Sequence, residues 1–108
     1  MPWWFYLIAI PATFLVINGI PHFINGISGR RFPSPFSGGP GTEDAPWRNV
    51  LWGSANLLIG GILFWVMREH IFANTALQGE VATLAIAFAT LLGYAFGNPE
   101  RFGRRRRK

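Results

Sequence analysis

NGIPHFINGISGRRF, residues 18–32, is the stretch in which a long uncharged segment meets its first charges, Arg30 and Arg31. The tripeptide Asn-Gly-Ile occurs in it twice, and His22 follows Pro21. No Asp, Glu, Lys or Arg precedes Arg30 in the chain. A membrane helix needs about 20 mostly apolar residues. We therefore predict that this stretch is the polar end of a transmembrane helix over about residues 3–27.

Two further charge-free segments follow, at residues 49–67 and 81–99. A soluble helical protein carries charge along its exposed faces every turn or two. Here only 14% of the residues are charged, against roughly 25% in soluble domains. The pattern predicts an all-α membrane protein with one domain over residues 1–108. Its second and third helices span about 47–67 and 76–97, with a loop at 28–46 and a basic tail at 98–108.

The orientation follows from the basic residues. With three spans, the first loop and the tail lie on one side of the membrane, and Arg68 lies on the other. The loop-and-tail side holds nine basic residues, namely Arg30, Arg31, Arg48, Arg101, Arg104, Arg105, Arg106, Arg107 and Lys108. Cytoplasmic loops carry an excess of Lys and Arg. We therefore expect the N-terminus outside and the C-terminus in the cytoplasm.

Local signals mark where the second and third helices begin. The acidic pair Glu43 and Asp44 precedes the second helix and favours a helix N-terminus. A short link over 68–74 separates the second helix from the third. Thr75 with Gln78 has the spacing of a capping box, so we predict that Thr75 caps the third helix.

Each predicted helix carries one stripe of small or polar residues. In the first helix Asn18, His22 and Asn25 are spaced i, i+4, i+7 and share a face. The same spacing recurs in the second helix and in the third, in the sets Asn49, Gly53, Asn56, Gly60 and Glu80, Thr83, Ala87, Thr90, Tyr94, Gly97. Such stripes usually pack helices together, and each polar contact contributes about 0.6 to 2 kcal/mol.

A second interpretation is a polar pocket near the cytoplasmic end of the bundle. Polar residues at membrane depth indicate a functional site by default, and His changes its charge near neutral pH. The residues of this candidate pocket are Asn18, His22, Asn25, Asn49, Asn56, Thr90 and Tyr94. The sequence leaves packing and function both open for this set.

Other kinds of site have weak support. The chain has no cysteine, and its two histidines, His22 and His70, fall on opposite sides of the predicted membrane. We therefore expect no metal, no cofactor and no enzymatic activity. Basic residues near a membrane surface attract anionic lipid. We predict a lipid and topology anchor made of Arg30, Arg31, Arg104, Arg105, Arg106, Arg107 and Lys108. Nucleic acid is a poor partner, because no aromatic residue interleaves the end of the tail to stack bases.

Residues 19–36, GIPHFINGISGRRFPSPF, with residues 49–61, NVLWGSANLLIGG, resemble a group of short bacterial membrane proteins without an assigned function. The resemblance covers about a third of the chain. It brings no activity with it and adds only that the polar end of the first helix is the distinctive part of the group. We expect a multi-pass protein of the bacterial inner membrane.

These observations favour a non-enzymatic membrane protein that packs with itself or with a larger membrane partner. The alternative is an oligomeric minimal transporter or channel, with a cytoplasmic-side polar pocket around His22.

Overall fold

The computed structural model describes residues 1–102, and within them the chain is helical apart from one long loop and the termini. The helices are α1 (Phe5–Ile27), α2 (Pro46–Ala73), α3 (Thr75–Gly97) and the short α4 (Pro99–Phe102). The first three are each long and apolar enough to cross a membrane. The prediction of an all-helical chain with three membrane-length helices is confirmed. The predicted anchor residues 104–108 lie outside the described residues.

Helices α1 and α2 pack antiparallel with their backbones almost in contact. A Cβ atom on Gly53 would lie 2.5 Å from the backbone nitrogen of Phe23, and one on Gly19 would lie 2.9 Å from the Gly53 carbonyl oxygen. Further along, a Cβ atom on Gly60 would lie 3.0 Å from the carbonyl oxygen of Ala12. Small residues allow this approach, which gives membrane helices their van der Waals contact.

Helix α3 runs parallel to α1 and makes few contacts with α2. Ring contacts with α1 hold it, together with its buried Leu77, which belongs to a hydrophobic cluster with Phe5, Ala9, Ala12 and Met67. Phe88 meets Phe14 at 5.3 Å between ring centroids, and Phe96 meets His22 at 6.1 Å. None of the residues in its most apolar 18-residue window is buried. The third helix therefore leans on one side of a two-helix unit and leaves most of its surface open.

The loop between α1 and α2 is closed at its base by backbone and side-chain contacts of Asp44. The Asp44 N–H donates to the Phe32 carbonyl at 2.9 Å, the Ser34 hydroxyl donates to the Asp44 carboxylate at 2.5 Å, and Arg48 pairs with Asp44 at 2.9 Å. The Ser34 hydrogen bond is the main cause that lowers the pKa of Asp44, helped by the Ala45 N–H and by Arg48. Asp44 thus binds the loop to the start of α2, whose N-cap residue is Ala45.

The second helix is longer than predicted. It continues to Ala73, so most of the expected link over 68–74 is helical. No Gly or Pro occurs between Arg68 and Asn74 to end the helix. With 28 residues, α2 is about 42 Å long at 1.5 Å per residue, which exceeds the roughly 30 Å hydrocarbon core. A helix of this length can cross the core and still keep its charged end, which includes Arg68, outside it.

The N-cap of α3 is Asn74, one residue before the predicted Thr75. The Asn74 side chain accepts a hydrogen bond from the Leu77 N–H at 3.0 Å, so Asn74 caps the helix rather than Thr75. Asn is among the best N-cap residues because its short side-chain oxygen reaches the free N–H groups of the first turn. Gln78 does not complete a capping box either, since its amide donates to the Ile71 carbonyl at 2.7 Å.

Candidate functional site

Two buried polar pairs join α1 to α2. His22 Nδ1 lies 2.7 Å from Asn49 Oδ1. About one turn deeper, the Asn18 amide donates to Asn56 Oδ1 at 3.2 Å. All four residues are buried. The structure thus places four members of the predicted pocket together on the contact face of α1 and α2.

The hydrogen bonds around Asn49 assign the protons on His22. Asn49 Nδ2 donates to the Phe32 carbonyl at 2.7 Å, so its carboxamide oxygen is the atom that faces His22. A carboxamide oxygen only accepts, and the imidazole Nδ1 therefore carries the hydrogen. In the neutral ring this leaves Nε2 of His22 as a hydrogen-bond acceptor.

The second pair has the same arrangement. Asn56 Nδ2 donates to the Trp52 carbonyl of its own helix at 2.7 Å, which turns Asn56 Oδ1 toward Asn18. Asn18 uses an N–H for this contact, so its own Oδ1 remains an acceptor. The Trp52 indole N–H is buried without a hydrogen-bond partner among the described residues.

Three aromatic rings surround the imidazole of His22. Phe32 from the loop lies 5.2 Å away, Phe96 from α3 lies 6.1 Å away, and Trp52 from α2 lies 6.5 Å away. Each meets the imidazole at an interplanar angle near 80°. Edge-to-face contacts of this kind stabilise aromatic pairs beyond their buried area. The loop and all three helices thus fix the orientation of His22.

A pocket of about 520 Å³ opens beside these groups. One wall is α1, and the loop covers one side. None of its lining residues carries a formal charge, because they are Phe14, Asn18, His22, Pro33, Ser34, Pro35, Gly38, Gly39, Pro40, Trp52 and Phe96. Its size falls within the range of about 300 to 1,000 Å³ that is usual for small-molecule sites.

Asn25 lies outside this pocket and stabilises the end of α1. Its amide donates to the Pro21 carbonyl at 2.8 Å, and its side-chain oxygen accepts from Arg30 at 2.9 Å. Arg30, one of the predicted anchor residues, is exposed at this point, as is Arg31. Asn25 thus shares a helix face with His22 but has a local role.

The expectation that Thr90 and Tyr94 join the pocket needs correction. Both are exposed in the single chain, Tyr94 by 47%. The Thr90 hydroxyl donates to the Ile86 carbonyl of its own helix at 2.7 Å, so it needs no partner on another helix. The face of α3 that meets α1 carries Phe88 and Phe96 instead, because aromatic rings fill the space beside α1 that a threonine would leave open.

Three contributors to the site carried no polar signal in the sequence. The Phe32 carbonyl is a backbone group, and Trp52 and Phe96 look like ordinary membrane aromatics. Only the position of Trp52 gave a usable clue. It precedes Asn56 by four residues and therefore shares its helix face. Nothing local indicated that the loop would bring Phe32 back to Asn49.

Among residues 1–102 no group of three or more His, Cys, Asp or Glu side chains is placed to hold a metal ion. Comparison of the chain with protein-family models, curated proteins and solved structures finds no match. The resemblance of residues 19–36 and 49–61 to short bacterial membrane proteins therefore stays a prediction.

Proposed function

We propose that this chain is a non-enzymatic membrane protein that assembles with a second copy of itself through the outer face of α3. The observation that supports the proposal is that three glycines of α3 face open space. Gly79, Gly93 and Gly97 have no other atoms within 4 Å of where a Cβ would stand, apart from their immediate chain surroundings. They therefore serve no close contact within the chain.

These glycines form part of a continuous outer face, the α3 outer face, which consists of Gly79, Thr83, Ile86, Thr90, Gly93 and Gly97. Its members recur every three or four residues and so lie on one side of the helix. Gly93 and Gly97 have the Gly-x-x-x-Gly spacing of membrane helix contacts. The hydroxyls of Thr83 and Thr90 donate to carbonyls of their own helix, so these two residues leave no unpaired hydroxyl on the face.

The contact of α1 with α2 shows how glycine-bearing faces pack when they meet. Gly19 of α1 and Gly53 of α2 pack backbone against backbone. Small residues let membrane helices approach closely and gain van der Waals contact. A second α3 outer face fits the first by symmetry, since an isologous contact uses the same patch on both copies.

The proposal includes the predicted topology, with the N-terminus outside and the tail in the cytoplasm of a bacterial inner membrane. Arg30, Arg31, Arg48 and Arg101 lie at the loop end of the helices, and Arg68 lies at the other end. This asymmetry supports a cytoplasmic loop. Fusion of a reporter that is active only in the cytoplasm to each terminus tests it, and activity from the N-terminal fusion would reverse the topology.

The assembly itself is tested with Gly93→Leu. We expect the unaltered chain to be a dimer by native mass spectrometry from lipid nanodiscs, and the variant to be a monomer with unchanged helix content. Gly61→Leu is the matched control, because Gly61 is equally open but lies on α2. The control should remain a dimer. A monomeric unaltered chain, or equal loss of the dimer in both variants, would contradict the proposal.

A further inference from the structure

The pocket beside His22 combines two hydrogen-bond acceptors with walls of rings and prolines. His22 Nε2 is an acceptor because Nδ1 carries the ring hydrogen and donates it to Asn49 Oδ1. Asn18 Oδ1 is also a free acceptor, because Asn18 uses its amide nitrogen to donate to Asn56 Oδ1. Both residues line the pocket, and four residues separate them, so they stand on one face of α1.

These two acceptors define the head group that fits. Neither atom accepts a hydrogen bond from a donor within residues 1–102, so a ligand gains most by bringing its own O–H or N–H. An isolated ion would bind weakly, because no lining side chain carries a formal charge and burial of an unpaired charge is costly. A hydroxyl fits better than an ammonium group, because it donates a hydrogen bond without bringing a charge.

The shape of the pocket indicates that the ligand also has an apolar part. Its lining runs along α1 from His22, near the loop, to Phe14. Eight residues separate the two, which is about 12 Å along a helix at 1.5 Å per residue. Phe14 lies deeper in the membrane-spanning part of α1 and is 39% exposed. The pocket is thus polar at the loop end and apolar toward the lipid.

We propose that this pocket binds an uncharged amphiphile, a lipid-phase alcohol or phenol, whose hydroxyl donates to His22 Nε2 and whose chain lies along α1 toward Phe14. The site does not depend on the α3 outer face, because Phe96, the α3 residue that lines the pocket, is not part of that face. It therefore stands whether or not the chain forms a dimer.

The test uses the full chain, labelled with ¹⁵N in its imidazole rings and placed in lipid nanodiscs. The chain has two histidines, so His70 is an internal reference. We expect the unprotonated nitrogen of His22 to be Nε2. Added 1-dodecanol should move this resonance to lower frequency and leave His70 unchanged, because acceptance of a hydrogen bond shields an unprotonated imidazole nitrogen.

Two further probes separate this site from general partitioning into the lipid. 1-Methoxydodecane has the same chain without a donor, and dodecyltrimethylammonium replaces the hydroxyl with a charge. Neither should move the His22 resonance. A shift of equal size with either probe, or no shift with dodecanol, would overturn the proposal.

A variant then locates the chain of the amphiphile. Phe14→Trp places a larger ring at the deep end of the pocket and leaves His22, Asn49 and Phe32 untouched. We expect the dodecanol shift to fall by at least half. Leu7→Trp, at an exposed position of the same helix, should keep the full shift. An unchanged shift in Phe14→Trp would show that the chain does not follow α1.

Discussion

The contact of α1 with α2 and the contact of α1 with α3 are built from different residues, although all three helices carry a small or polar stripe. Between α1 and α2, glycines bring the backbones together, and amide and imidazole groups pair across the gap. Between α1 and α3, Phe14 meets Phe88 edge to face, and Leu77 packs in a cluster with Phe5 and Ala9. The stripe of α3 faces outward.

This difference shows that a stripe of small residues predicts a helix contact but does not predict which helix is the partner. In a membrane, no hydrophobic effect drives apolar helices together, so packing and polar pairing decide which faces meet. Asn and His must find partners, because an unsatisfied polar group in hydrocarbon costs several kcal/mol. Thr and Gly have no such need, since a threonine hydroxyl pairs with its own helix. The two stripes that carry Asn therefore pair with each other.

The largest expected effect comes from Gly53→Ala, which adds one methyl group to the contact of α1 with α2. Its Cβ would lie 2.5 Å from Phe23 N, and backbone cannot move aside as a side chain can. We expect a loss of about 3 kcal/mol, at the upper end of overpacking costs, measured by unfolding in mixed detergent micelles. Gly61→Ala, where the space is open, is the control. Equal stability of the two variants would show that the glycine contact does not hold the pair.

The next effect is expected from His22→Leu, which removes the donor to Asn49. We expect a loss of about 1 to 2 kcal/mol, the range for a polar contact between membrane helices. Asn49→Leu alone should cost a similar amount, and the double variant should cost less than the sum, because the two residues share one hydrogen bond. Ile20→Leu, at an exposed position of α1, serves as the control. Strict additivity would mean that the two residues do not act together.

A smaller effect, about 1 kcal/mol, is expected from Asp44→Asn, which removes the charge that pairs with Arg48 and receives the Ser34 hydroxyl. The pKa of folded Asp44 lies below its ordinary value. Its stabilisation is therefore present above the unfolded pKa of about 3.9 and is lost as the pH falls through the lower folded pKa. The melting temperature of the unaltered chain should fall below pH 4 more steeply than that of Asp44→Asn. Parallel curves would exclude this role. Glu69→Gln at the other end of α2 is the control.

The smallest effect on the single chain, and one of opposite sign, is expected from Gly93→Ala. The added methyl group meets no atom within 4 Å, and Ala is favoured over Gly in a helix by up to about 1 kcal/mol. Unfolding at protein concentrations where the chain is monomeric should show unchanged or slightly higher stability. A clear loss would mean that Gly93 already serves a contact within the chain, and would weaken the comparison with Gly53.

Much of the site was predictable, because its polar members are rare residues in apolar segments. The spacing of Asn18 with His22, and of Asn49 with Asn56, placed each pair on one face. Antiparallel neighbours then bring the two faces together at matching depth. The partner of each side chain was not predictable. His22 meets Asn49 rather than Thr90 because the rotation of α3 about its axis depends on how Phe88 and Phe96 fit against α1.

The ends of the elements show the same limit at a smaller scale. Asn74 and Thr75 are both good N-cap residues, and only the described geometry assigns the cap to Asn74. The acidic residue Asp44 was expected to favour the start of α2 through the helix dipole. Its actual partners, Ser34 and Arg48, include one that the loop brings from ten residues away.

The sequence by itself determined that the chain is helical, that three of its segments are long and apolar enough to span a membrane, and which faces of α1 and α2 carry polar groups. These properties depend on local composition and on the period of the helix. The tertiary structure alone decided that α3 turns its stripe outward, that Asn49 links His22 to the Phe32 carbonyl, and that a pocket remains beside them. These depend on contacts between residues far apart in the chain, where the fit of large rings outweighs the spacing of small residues.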